Sequence, residues 1–218
     1  MKAVLFDLDN TLYPVECDLF SLVDVRINRY MEEVVAIDPD DVDVLRRRYW
    51  QDYGATLQGL VRHHAIDPED YLDYVHDIDV DSRISLDPEL QHALKNLGLP
   101  SYVFTNGSRC HVDRVVTALG LDGIFADIFD IRIADYQPKP NPDPYRQVLQ
   151  KLALQGDQCI MVEDQLKNLQ TAKQFGMKTV LVGTTEAVVG ECSYLDAQLI
   201  RPADIGSLLV LDQWLEDS

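Results

Sequence analysis

Residues 3–13 read Ala3-Val4-Leu5-Phe6-Asp7-Leu8-Asp9-Asn10-Thr11-Leu12-Tyr13. The first four form an apolar run of strand length that stops at a carboxylate. Such a run, without polar alternation, marks a strand covered on both faces, as in a parallel sheet. Its carboxyl end then carries the polar groups Asp7 and Asp9.

Similar runs recur along the chain. Ser101–Phe104 ends at Thr105-Asn106-Gly107. A less clean run, mixing apolar and charged residues, covers 127–133. Residues 159–162 end at Glu163-Asp164, Lys178–Val182 ends at Gly183, and 197–200 form a sixth run. Helical patterns fall between them. Asp87-Pro88-Glu89 supplies an N-cap and a proline at the first helical position, and that helix stops at Gly98. Others are expected over 109–119, 142–154, 165–175 and 202–215. From residue 87 onward helix and strand alternate, which predicts an α/β Rossmann-like parallel sheet with helices on both faces.

Residues 15–85 break the alternation. Leu19, Leu22, Val23, Ile27, Tyr30 and Met31 recur at helical spacing, and Asp38-Pro39 and Asp67-Pro68 read as helix starts. The expected organisation is a catalytic core of 1–14 and 86–218, with an inserted all-helical cap at 15–85. The segment Glu186 to Tyr194 reads as a loop.

Composition narrows the function. The chain has 218 residues, 46% of them hydrophobic, enough for a sizeable core. A formal net charge of −18 repels a nucleic acid backbone and excludes a nucleic acid polymer as the expected partner. The same charge opposes a phosphorylated substrate, so a phosphate site needs a metal, a Lys or backbone N–H groups. Cys17, Cys110, Cys159 and Cys192 form no C-x-x-C pair and read as reduced thiols. The N-terminus reaches Asp7 too soon for a signal peptide's apolar region, and no long apolar run follows. The expectation is a cytoplasmic protein without membrane attachment. No coiled-coil pattern is visible, which leaves the oligomeric state unassigned, a monomer being the simpler expectation.

In an open parallel sheet, sites form beyond the carboxyl ends of the strands. The polar residues there are Asp7 and Asp9, Thr105 and Asn106, Glu163 and Asp164, with Lys139 after the third run in Gln137-Pro138-Lys139-Pro140. Three clustered carboxylates repel one another, and a hard divalent cation relieves that repulsion. Mg²⁺ on Asp7 and Asp164 fits. Asp7 and Asp9 stand at i and i+2, so in an extended chain they point the same way. One can attack phosphorus while the other exchanges a proton with the leaving oxygen. Thr105 and Asn106 suit phosphoryl oxygens, and Lys139 suits an anionic intermediate. Each element alone has a plainer reading: a solvated strand end, a strand-to-helix turn, an exposed loop Lys, a helix cap. Their succession at consecutive strand ends is what singles them out.

In these motifs the chain resembles the haloacid dehalogenase-like hydrolase superfamily: Asp7-Leu8-Asp9-Asn10-Thr11, then Thr105, Lys139-Pro140 and Glu163-Asp164, over residues 3–183. The resemblance implies a phosphoaspartyl intermediate on Asp7 and acid–base catalysis by Asp9. It also implies Mg²⁺ held by Asp7, Asp164 and the backbone carbonyl of Asp9, under a helical cap that carries specificity. The dehalogenase branch lacks the second Asp of the first motif, so Asp9 points to phosphoryl transfer. A narrower similarity is to the pyrimidine 5′-nucleotidase-like subgroup. It rests on Asp9 to Tyr13, on Tyr53-Gly54-Ala55-Thr56-Leu57-Gln58-Gly59-Leu60, on Phe104 to Gly107 with His111, and on Glu163-Asp164 with Asn168. Gln165 and Gly107-Ser108-Arg109 depart from it.

The expected activity is hydrolysis of a small phosphorylated metabolite, with a pyrimidine nucleoside 5′-monophosphate favoured. Sugar-phosphate or phosphoglycolate phosphatases, a phosphomutase and a non-catalytic binding protein are the alternatives. His63, His64 and His111, without acidic or Cys partners at metal spacing, read as surface or capping residues. Arg46-Arg47-Arg48 reads as a solvated helix face that could also help draw in a phosphate, Gly54 and Gly59 as turn or packing residues, and Tyr13 either as a residue that stacks on a base or closes the crevice or as a half-buried Tyr under the cap.

Overall fold

The computed structural model describes residues 1–183 and 192–209. Six strands form one sheet: β1 (Ala3–Phe6), β2 (Ser101–Phe104), β3 (Asp127–Phe129), β4 (Cys159–Glu163), β5 (Lys178–Val182) and β6 (Ala197–Leu199). Their order is β3-β2-β1-β4-β5-β6, and every neighbouring pair is parallel. The chain winds outward from β1 in one direction through β2 and β3, and in the other from β4. The β1/β4 border is therefore the point where strand order reverses, and ligand crevices open there.

Nine helices accompany the sheet among the described residues: α1 (Phe20–Arg29), α2 (Pro39–Tyr53), α3 (Thr56–His64), α4 (Pro68–Val75), α5 (Pro88–Lys95), α6 (Arg109–Leu119), α7 (Pro142–Leu152), α8 (Leu166–Gln174) and α9 (Ile205–Leu209). β1 shows why both faces are covered. Val4 and Phe6 pack with Val103, Val162, Val112 and Val115 on the α5/α6 face, while Ala3 and Leu5 pack with Phe104, Met161, Tyr145 and Leu169 on the α7/α8 face. All four β1 residues are fully buried. At about 1.5–3 kcal/mol for each large side chain, this strand is a main anchor of the fold.

Local chemistry sets the helix ends. Asp38, Asp67 and Asp87 each cap the helix that follows, accepting from the N–H of Asp40, Glu69 and Leu90, with a proline at the first position each time. Such caps contribute ~1 kcal/mol each. Helix α2 stops at Gly54, whose φ of +82° ends it in the left-handed region. Gly59 serves packing: a methyl group there would lie 2.0 Å from the Tyr49 ring, so α2 and α3 meet only because it has none.

Helices α1–α4 share a separate apolar cluster built on Val23, Ile27, Tyr30, Met31, Tyr49, Leu60, Tyr71 and Leu72. The α1 pattern continues past Arg29 into one π turn over Tyr30–Val34.

Two expectations need correction. The third strand is shorter than 127–133: it stops at Phe129, and Ile131–Ala134 is a 3-10 turn because the Asp130 carboxylate accepts the Arg132 N–H. The sixth ends at Leu199 rather than 200. Of the helix expected over 202–215, a 3-10 turn at Pro202–Asp204 and α9 are seen, and 210–215 lie outside the described residues. Most of the loop expected between Glu186 and Tyr194 also lies outside them. All four cysteines are free. Among the described residues, no helix is long and apolar enough to cross a membrane.

Candidate active site

The carboxyl ends of β1, β2 and β4 and the segment before α7 meet under α1–α4 around a cleft of about 740 Å³. Asp7, Asp9, Thr105, Asn106, Lys139, Glu163 and Asp164 all line it. The structure thus brings together every site residue expected from the sequence.

Lys139 organises one half of the floor. Its side chain is not in an exposed loop: the residue is 2% exposed. Nζ donates to Asp7 Oδ1 (2.8 Å), Glu163 Oε2 (2.8 Å) and the Phe104 carbonyl (2.7 Å), which uses all three ammonium protons. Asn106 holds the Lys139 peptide from both sides. Its Nδ2 donates to the Lys139 carbonyl (3.0 Å), and its Oδ1 accepts the Lys139 N–H (2.7 Å). The Asn106 side-chain amide thus helps to place Lys139. Thr105 Oγ1 accepts the Gly107 N–H (3.0 Å) at the bend after β2.

Burial pushes Asp7 up to about 7, helped by the charge of Glu163, with Lys139 opposing. Burial also lifts Glu163 to about 7 against the pull of Lys139. Asp164 is raised too, by burial and then by Asp7. Burial acts to lower Lys139, but Asp7 and Glu163 outweigh it and push it up to about 12. Carboxylate oxygens of Asp7, Glu163 and Asp164 lie within 4.8 Å of one another. Three carboxylates face one ammonium, which leaves two negative charges uncompensated when all are ionised. An all-oxygen donor set with that excess fits a hard divalent cation.

Asp9 occupies the other half. The strand ladder continues through the Asp7 N–H, which bonds the Val162 carbonyl, and a turn follows in which the Leu8 carbonyl accepts the N–H of Thr11 and Leu12. Asp9 Oδ1 accepts from Tyr13 Oη (2.5 Å) and His111 Nε2 (2.8 Å). Burial works to raise the Asp9 carboxyl, but His111 beside it and the His111 and Tyr13 hydrogen bonds bring it to about 2.

His111 corrects the expectation of a surface or capping histidine: it is 0% exposed. Its ring stacks on His76 at 4.6 Å. Sequence reasoning missed its role because Asp9 lies 102 positions away. The available signal was its place in the first turn of α6, just after Thr105-Asn106-Gly107. Tyr13 is fully buried, not half-buried. His63 and His64 are exposed and bond the hydroxyls of Tyr53 and Tyr49. Arg46 lines the cleft: its guanidinium bonds Asn28 and Asp24 of α1, while its buried Nε has no partner among the described residues.

The roof is different in kind. Phe20, Val23, Ile27, Leu57, Tyr71 and Val75 line it together with Arg46, Gln51, Asp52 and Arg62, and Trp50 and Tyr53 line it from α2.

Comparison with known proteins agrees with this geometry. The haloacid dehalogenase-like hydrolase profile matches residues 1–176, and the chain belongs to that family of hydrolases. It is 26% identical over 197 residues to Phosphate metabolism protein 8 of Saccharomyces cerevisiae, covering 83% of this chain and 61% of that protein. It is 34% identical over 108 residues to the plasmid-borne protein CbbY of Cupriavidus necator, covering 48% and 41%. The chain thus spans less than two thirds of either relative's length. Among solved structures, CbbY from Rhodobacter sphaeroides in complex with phosphate superposes with a TM-score of 0.65 at 22% identity, covering 94% of this chain and 96% of that one. A subfamily IA hydrolase of the superfamily from Geobacter sulfurreducens gives 0.57 at 21%, covering 96% of each. At these identities the structures share the fold.

Proposed function

We propose that the chain is a Mg²⁺-dependent phosphomonoesterase that works through an aspartyl phosphate, with Asp7 as nucleophile. The observation that carries this reading is geometric: Asp7, Glu163 and Asp164 converge with carboxylate oxygens within 4.8 Å of one another and Lys139 on Asp7, while Asp9, two residues on, lines the same cleft on separate partners, Tyr13 and His111.

In this reading Asp9 takes up a proton as the phosphate dianion enters beside it, an Asp7 oxygen attacks phosphorus in line, the P–O bond to the leaving group breaks, and Asp9 gives that proton to the departing alkoxide. Asp9 then takes a proton from the water that attacks phosphorus, and the bond to Asp7 breaks to free phosphate. Lys139 holds Asp7 and Glu163 in place, and Thr105 faces the phosphoryl oxygens. Asp7 and Asp164, with the Asp9 carbonyl, would hold Mg²⁺, and Glu163 stands close enough to join or orient them. When bound, the metal would neutralise phosphate charge. Residues 15–85 serve as the cap.

A pyrimidine nucleoside 5′-monophosphate is the favoured substrate. The apolar and aromatic roof suits a flat base better than a polyhydroxylated sugar, and 740 Å³ leaves room for one. The test is a Mg²⁺-supplemented panel of UMP, CMP, sugar phosphates and phosphoglycolate, scored by phosphate release. Faster release from UMP and CMP supports the substrate. Preference for a sugar phosphate or phosphoglycolate would replace it, and isomerisation without release would replace hydrolysis by a phosphomutase reaction.

A further inference from the structure

Asp9 is held on one side only. Both of its hydrogen bonds, from Tyr13 Oη and from His111 Nε2, end on Oδ1. Oδ2 faces the other way, toward the bend after β2. A methyl group on Gly107 would lie 3.8 Å from Asp9 Oδ2 and 3.4 Å from Thr105 Oγ1, so these two oxygens look onto the same small space.

The His111 ring is itself fixed. It is fully buried and lies nearly parallel to His76, at an interplanar angle of 16°. The Ser108 hydroxyl bonds His76 Nδ1 (3.0 Å) and its oxygen accepts the His111 N–H (3.3 Å). His76 closes the end of α4, so the cap carries one face of the stack. A buried histidine kept only for packing has no need to aim a ring nitrogen at a carboxylate on another element. This one does, while its Nδ1 has no partner among the described residues.

Resting on the phosphomonoesterase reading above, we propose that His111, with Tyr13, is a positioning residue that locks Asp9 so that the proton moves only through Oδ2. With Oδ1 accepting two hydrogen bonds, Oδ2 is the one oxygen left to hold the transferred proton, and it faces the phosphate side. Loss of either donor lets the carboxyl rotate and misplace that oxygen, while Asp7, Lys139 and the metal ligands stay where they are.

A leaving group separates this role from a structural one. The phenolate of 4-nitrophenyl phosphate leaves without a proton, whereas an alkoxide needs one. The ratio kcat/KM ends at formation of the aspartyl phosphate, so it excludes the later base step by Asp9. The measurement is kcat/KM for 4-nitrophenyl phosphate and for the alkyl phosphate that wild type hydrolyses fastest, in wild type, His111→Ala, His111→Gln and Tyr13→Phe. His111→Ala is expected to lose roughly 10- to 100-fold on the alkyl ester and under about 3-fold on the aryl ester, since positioned proton transfer contributes about 10²- to 10⁴-fold in all. Tyr13→Phe shifts the ratio the same way by less, and His111→Gln, which keeps a donor, recovers part of the loss. Equal losses on both esters, or none, overturn the proposal. If His111→Ala does not fold, Tyr13→Phe decides by the same criterion. A wild type inactive on both esters with Mg²⁺ brings down the phosphomonoesterase reading, and this proposal with it.

Discussion

The floor of the cleft is built from buried ionisable groups tied together across distant strands: Asp7, Lys139 and Glu163 on one side, Asp9, Tyr13 and His111 on the other. The roof, from α1–α4, is mostly apolar and aromatic, with Arg46, Gln51, Asp52 and Arg62 among its lining residues. Removing phosphate from any ester asks the same of the floor: a nucleophile, a proton carrier and compensation of charge. Choosing the ester falls to the part that meets the leaving group. Damage to the floor should therefore lower turnover of every substrate, and damage to the roof should reorder substrates.

The largest effect is expected for Asp7→Asn, which keeps volume and removes the nucleophile. Turnover should fall by on the order of 10⁴-fold or more on every ester, with the thermal midpoint close to wild type. Steady-state assays beside a melting curve check this, and measurable wild-type activity in pure variant would take Asp7 out of the mechanism. Asp9→Asn comes next, with a loss of about 10²- to 10⁴-fold that is larger for alkyl than for aryl esters.

Lys139→Met breaks the floor in a different currency. It leaves Asp7 and Glu163 buried without their partner, and breaking such a pair costs about 3–5 kcal/mol. The pH dependence has a definite sign. Both carboxyls are already raised to about 7, against about 4 in an unfolded chain. The folded state therefore keeps protons that the unfolded state has lost, and metal-free stability falls as pH rises from about 4 to 7. Without Lys139 that fall extends to higher pH, so urea titrations at pH 5 and pH 8 should show the larger deficit at pH 8. For the same reason Mg²⁺ should raise the wild-type melting midpoint more at pH 8 than at pH 5. An equal Mg²⁺ shift at both would separate the metal from these carboxylates.

Floor and roof also differ in how far the sequence reveals them. Ala3–Phe6, Ser101–Phe104 and Lys178–Val182 are apolar runs because both faces of the sheet are covered, and topology then places Asp7, Thr105 and Glu163-Asp164 at one edge without any knowledge of tertiary contacts. Lys139 is visible from its place in that order, although its burial is not: a Lys between prolines looks the same whether it faces solvent or three acceptors. The end of β3 is not legible in the sequence, because the Asp130 carboxylate takes the Arg132 N–H that a longer strand would have paired. Nothing local in the sequence shows that the Asn106 amide binds Lys139, 33 positions on. The roof is hardest to read. Val23, Ile27 and Tyr71 carry the same helical spacing whether they fill the cap's own core or face a ligand, and in this protein they do both.

The smallest expected effect tests the roof at Trp50. Trp50 is 52% exposed on α2, with the Lys167 ammonium of α8 4.5 Å from the ring centroid, so this contact joins α2 to α8 at the cleft. An exposed cation–π pair contributes about 0.5–1 kcal/mol. Trp50→Ala should accordingly change KM for the preferred nucleotide by roughly 2- to 5-fold, since about 1.4 kcal/mol corresponds to tenfold. Its kcat for 4-nitrophenyl phosphate should stay near wild type, because no floor group touches the indole. Lys167→Gln distinguishes two ways in which Trp50 acts. If the clasp alone matters, both variants raise KM alike. If the indole meets the base directly, Trp50→Ala raises KM for nucleotides while Lys167→Gln leaves it unchanged. A Trp50→Ala variant that slows every ester equally would put Trp50 with the floor and break the division between the two surfaces.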